Sequence, residues 1–151
     1  MPITLALGTD HRGFLLKQFL LQQTQFNNEP IVWLDLGCYS LERTDYPLYA
    51  HAVVKALYEK KAQMGILLCA NGVGMSIAAN RFKGIYAALA WNPLIAQTSR
   101  EDDNSNILCL PSDYITEHET ILVISTWLKG MFKKGRYGER LNMIDEYTQT
   151  Y

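Results

Sequence analysis

No part of this chain stays apolar for the roughly 20 residues that crossing a bilayer requires, and its first residues lack the basic-then-apolar order of a secretory signal. A soluble, cytoplasmic protein with no membrane partner is the expectation. Cysteine is scarce: Cys38, Cys69 and Cys109 are odd in number and widely spaced, forming neither a C-x-x-C pair nor a metal-ligand motif. That usage suits a reducing compartment, and no metal or other cofactor is expected. An excess of one charge is missing as well. Fourteen Lys and Arg stand against 15 Asp and Glu, net −1, which argues against a non-specific nucleic-acid partner. Repeats, low-complexity tracts and linkers are also absent. What remains is a 151-residue chain, 48% hydrophobic and 19% charged, the size and composition of one globular domain over 1–151.

What the chain does have is alternation. Short apolar runs at 3–8, 31–36, 64–69, 84–90 and 106–110 read as strands. Segments at 13–23, 47–61, 73–81, 93–101, 117–129 and 139–147 read as helices. Strands apolar along their whole length, separated by helices, imply a five-stranded parallel sheet covered on both faces: an α/β, three-layer αβα sandwich. The last helix, about 138–148, is mixed in character and is a candidate to pack on a partner subunit. In such sheets ligands collect beyond the carboxyl ends of the strands. That edge carries Asp10-His11, Gly37-Cys38, Cys69 to Gly74, and Trp91-Asn92.

The most informative stretch runs from Ile66 to Asn80, an apolar strand ending in Cys69, then Asn71, Gly72, Val73, Gly74, Met75 and Ser76 at a helix start. Amides at a helix N-terminus can hold an anion and can lower the pKa of a thiol beside them. The bland alternative is an inert buried cysteine and a tight glycine turn. Gly72-x-Gly74 lacks the third glycine of a dinucleotide fingerprint and the Gly-Lys-Ser/Thr of a P-loop. Asp10 reads equally as a helix cap and as a ligand group. Asp45-Tyr46 before a proline reads as a cap with an aromatic staple. Arg136 and Arg140, four residues apart, share one helix face, either as a solvated basic patch or as a phosphate clamp.

Together these residues resemble the type B ribose-5-phosphate isomerases and the related galactose-6-phosphate isomerase subunits. The resemblance rests on Gly8-Thr9-Asp10-His11-x-Gly13-Phe14, Glu42 to Pro47, Leu68-Cys69 through Asn80, Gly84-Ile85, Ala96-Gln97-x-Ser99-Arg100, Asn106, and Gly135-Arg136 with Arg140, in order over nearly the whole chain. It implies a Rossmann-like sandwich, a homodimer or dimer of dimers with the site between subunits, and metal-free aldose–ketose isomerisation of a sugar phosphate. Cys69 is then the base moving a proton between C1 and C2. The loop amides from Gly72 to Ser76 hold the enediolate oxygen, and Asn71 bonds a reacting hydroxyl. Tyr46 lies along the sugar, Asp10 on its hydroxyls, and His11, Arg136 and Arg140 on the phosphate.

Three positions depart from the family. Asp102-Asp103 replace a His-Asn pair that serves ring opening and substrate binding, so Asp102 stands as the ring-opening acid/base and Asp103 as a binding residue. Asp113 replaces a phosphate arginine. Exchanging a cation for an anion beside a phosphate changes the pair energy by roughly 2 to 8 kcal/mol. Three readings follow: an isomerase of a phosphorylated aldose, a sugar-phosphate-binding protein that has lost the chemistry, or an isomerase of another, unphosphorylated sugar.

Overall fold

The computed structural model describes residues 1–150. Runs rich in Leu, Ile and Val form β1 (Ile3–Thr9), β3 (Glu29–Asp35), β4 (Met64–Cys69), β5 (Ala87–Leu89) and β6 (Ile107–Pro111). The two-residue β2 (Gln25–Phe26) precedes β3. The helices are α1 (Phe14–Leu21), α2 (Tyr46–Tyr58), α3 (Val73–Ala79), α4 (Pro93–Asp103), α5 (Glu117–Lys129) and α6 (Arg136–Thr148). Sheet order is β2-β3-β1-β4-β6-β5, parallel except for the antiparallel β2–β3 hairpin. The five expected strands are therefore present, and a sixth joins at the edge.

Alternation along the central strands sorts the core into two layers. Leu5 and Leu7 of β1, Ile66 and Leu68 of β4, and Leu108 and Leu110 of β6 face α1, α4 and α5, where Leu20, Ile124 and Trp127 meet them. Ala6, Leu67, Cys69, Ile107 and Cys109 face α2 and α3, against Val53, Val54, Met75 and Ala79. Because both faces are covered, β1, β4 and β6 read as unbroken apolar runs.

Boundaries shift where side chains compete for the backbone. The strand expected from residue 84 begins only at Ala87. The N–H groups of Tyr86 and Ala87 donate instead to the side-chain oxygens of Asn106 (2.9 Å) and Asn80 (2.8 Å). Helix α6 starts at Arg136, ahead of the expected 139, and packs on α4 of its own chain through its buried residue Leu141. No helix is long and apolar enough to cross a membrane among the described residues.

Candidate active site

The chain passes from β1 to β3 on one side, and the next crossover, through α2, returns across β1 to β4 on the other. That reversal opens a crevice at the carboxyl ends of β1 and β4, where open α/β sheets bind ligands. At the end of β1, Asp10 is 6% exposed and its Oδ1 accepts the Arg12 N–H at 3.0 Å, capping a short turn over His11–Gly13. The capping reading of Asp10 therefore holds, and its second oxygen is not committed to that bond. Nδ1 of His11 lies 3.2 Å from Thr44 N and 3.3 Å from Thr44 O, so the Thr44 backbone orients the ring.

The segment that presents Thr44 is anchored at its start. Thr9 N–H donates to Gly37 O and Cys38 N–H to Thr9 O, both at 2.8 Å. Asp35 accepts the Gly37 N–H at 3.0 Å and the ammonium of Lys17 at 2.7 Å, on one and the same oxygen. Lys17 is wholly buried, under the Tyr39 ring 4.8 Å away.

At the end of β4, Cys69 is 4% exposed and lies in the apolar layer under α2 and α3 with Met75 and Cys109. The thiol of Cys109 is pushed up by complete burial, with Cys69 adding to the effect. Gly72 takes φ +76° and leads into α3. Asn71 Oδ1 accepts the Val73 N–H at 3.0 Å, so only the Asn71 amide nitrogen is left to donate to a hydroxyl. The expected cradle of amides from Gly72 to Ser76 is correspondingly narrower. Val73 is spent on Asn71 and Ser76 on Gly72 O at 3.1 Å, which leaves Gly74 and Met75 as first-turn donors without a helical acceptor.

Tyr46 does reach this loop. A Cβ on Gly74 would stand 2.7 Å from Tyr46 Cζ, so the ring lies directly on the glycine backbone. Asp45, expected as the cap of α2, makes no side-chain cap bond. Because the contact is with a movable ring, Gly74→Ala is expected to fold normally but displace Tyr46. Steady-state kinetics should show kcat/KM down by about 10- to 100-fold, in line with angstrom-scale misplacement of a positioning group. Unaltered kinetics would mean that Tyr46 does not position the ligand.

The remaining candidates are not in this crevice within one chain. Helix α4 starts at the carboxyl edge after β5 and runs back for 11 residues, roughly 16 Å of helix. Asp102 and Asp103 therefore sit at the amino edge, three residues or so before β6 begins. Arg136 and Arg140 lie beside them on α6. Asp102 accepts a 2.8 Å hydrogen bond from Lys133, which raises the lysine's pKa. Asp103 has its pKa raised by burial and then by Asp102, with Arg140 opposing. A cavity of about 630 Å³ opens here, lined by residues that include Asn80, Ser99, Asp103, Ser105, Leu141 and Asp145. No cluster of three or more His, Cys, Asp or Glu suited to a metal occurs among the described residues.

Sequence reasoning missed one pairing at the crevice. The anion at Asp113 is answered by Arg12, whose guanidinium makes an ion pair with it. The two residues are 101 positions apart, and the only signal in the sequence was a basic residue inserted between His11 and Gly13.

Residues 5–144 match the model of the Ribose/Galactose Isomerase family. The chain belongs to that family. It is 36% identical over 145 residues to ribose-5-phosphate isomerase B of Escherichia coli, covering 96% of each chain. Among solved members, the type B enzyme of Trypanosoma cruzi superposes with a TM-score of 0.93 at 30% identity, covering 99% of each chain. The Mycoplasma genitalium enzyme, solved with ribulose-5-phosphate bound, superposes at 0.88 with 33% identity, over 100% of this chain and 99% of the other.

Proposed function

We propose that this protein interconverts an aldose phosphate and its ketose, with ribose 5-phosphate and ribulose 5-phosphate as the first pair to assay. One observation carries the reading: Asp10, His11, Tyr46 and the Cys69–Gly74 loop converge on the β1/β4 crevice of a whole-chain relative of such enzymes. The Cys69 thiolate takes the proton from C2 of the open-chain aldose, and the electron pair moves to form a cis-enediol(ate). The thiol returns a proton to C1 while the O2 hydroxyl proton passes to O1, giving the ketose. Donors at Gly74 and Met75 stabilise the oxygen on which charge develops, as preorganised amides do. Asn71 donates to a reacting hydroxyl through its amide nitrogen. Asp10 holds sugar hydroxyls, Tyr46 flanks the chain and His11 faces the phosphate.

Arg136, Arg140, Asp102 and Asp103 join this site from a second copy of the chain, in a homodimer or a dimer of dimers working in the cytoplasm. Their position at the opposite sheet edge supports that arrangement, because one chain cannot close the site on itself. Ring opening falls to Asp102, whose carboxylate Lys133 holds in place, with Asp103 beside it as a binding residue.

Mixing tests the composite site. Cys69→Ala and Arg140→Ala chains, each inactive alone, are refolded together. Random pairing makes half the dimers mixed, each with one intact site, so activity should return to about a quarter of wild type. No recovery would place Cys69 and Arg140 in the same chain's site. Failure of wild-type protein to exchange the C2 proton of any pentose or hexose phosphate would instead favour a binding protein.

A further inference from the structure

In the sheet order β1-β4-β6, the loops after β1 and β6 flank the end of β4. The guanidinium of Arg12, on the first of these loops, pairs with Asp113, on the second. The bridge therefore passes over the strand end that carries Cys69. Its footing on both sides is fixed by backbone. Ser112 N–H donates to Cys69 O at 2.9 Å and Asp113 N–H to Ala70 O at 3.0 Å. The Ser112 hydroxyl lies between Cys69 O at 3.0 Å and Arg12 O at 3.3 Å. The pair itself is open to solvent, with 54% of the Arg12 side chain and 31% of the Asp113 side chain exposed. An exposed ion pair of this kind contributes little to stability and is readily exchanged. A phosphate offers the same fork of oxygens with more charge, and Arg–phosphate pairs are among the stronger charge-assisted hydrogen bonds. Arg12 also follows His11 directly, whereas Arg136 and Arg140 lie at the other edge of this chain.

We propose that Arg12 is a phosphate-binding residue of this enzyme, and that Asp113 occupies its guanidinium until the substrate's phosphate displaces it. The inference rests on the sugar-phosphate reading of the crevice and adds a specificity device to it. A ligand without a dianionic group cannot displace the carboxylate, so Asp113 selects against unphosphorylated sugars.

The test is the sign of two substitutions. Inorganic phosphate is titrated into the wild-type oligomer, Arg12→Gln, Asp113→Asn and the double variant by calorimetry, alongside KM for ribose 5-phosphate. Arg12→Gln should weaken phosphate about tenfold, the worth of one charge-assisted contact, and raise KM more than it lowers kcat. Asp113→Asn frees the guanidinium and should tighten phosphate by about threefold, a fraction of that same contact. The double variant should behave as Arg12→Gln alone. Changes of the same sign in both single variants would identify an ordinary structural ion pair and overturn the proposal, as would an Arg12→Gln protein that binds phosphate like wild type. The titration reads out without turnover, so opposite signs support the role of Arg12 even if no sugar phosphate proves to be isomerised, an outcome that would remove the isomerase reading by itself.

Discussion

A Cys69→Ala protein is expected to lose aldose–ketose interconversion by about 10² to 10⁴-fold, the usual contribution of a positioned acid/base group. Its KM should move by a few-fold at most, because the groups assigned to binding are elsewhere: Asp10 and His11 after β1, Tyr46 at the start of α2, and the amides of α3. Deuterium wash-in at C2 should vanish with turnover, since both depend on the same proton transfer. The substitution also removes a sulfur from a packed layer, which costs ~1 kcal/mol through the small void left behind. Cys109→Ala separates the two effects. That thiol lies in the same layer, is fully buried and is held protonated by its surroundings. It should show a comparable loss of stability and full turnover. If Cys69→Ala turns over like wild type, the thiol has no part in the reaction.

The largest effect on stability is expected from Asp35→Ala. It strands the Lys17 ammonium with no carboxylate, and that side chain has no access to water. Removing one partner of a buried pair typically costs ~3–5 kcal/mol, a midpoint lower by roughly 10 °C in a chain of this size. Lys17→Met should cost less, because the carboxylate left behind is 30% exposed and keeps its bond from Gly37 N–H. Combining the two substitutions should recover part of the loss of Asp35→Ala, as an apolar replacement no longer buries a lone charge. Differential scanning calorimetry on the three variants checks the order. Equal losses in both single variants would show that the cation is not the costly member. Activity should fall in Asp35→Ala as well, since the same carboxylate fixes Gly37 and, through the following segment, the Thr44 that orients His11.

The parallel sheet was legible because β1, β4 and β6 are buried on both faces and must be apolar throughout. The hairpin at β2 was not, since two residues carry no periodicity. Its one local sign is Asn27-Asn28, both with positive φ, 55° and 65°, as tight hairpin turns demand. Asp10, His11 and the loop from Cys69 to Gly74 were legible for a topological reason: they stand at or directly after the end of a parallel strand, and such loops share an edge. The same reasoning places Asp102 and Asp103 at the far edge, because a helix returning from a strand must run antiparallel to it. The bridge from Arg12 to Asp113 lay beyond any local pattern. Nothing in a linear reading couples the loop after β1 to the loop after β6 until β4 is known to lie between them.

Lys17 has a consequence apart from catalysis. Among the described residues it is the one buried lysine, so an acylating reagent that labels the exposed amines at once meets this amine only when α1 lifts off the sheet edge. Its labelling rate is a clock for the local opening of that corner, running in the intact enzyme while the rest of the molecule stays folded.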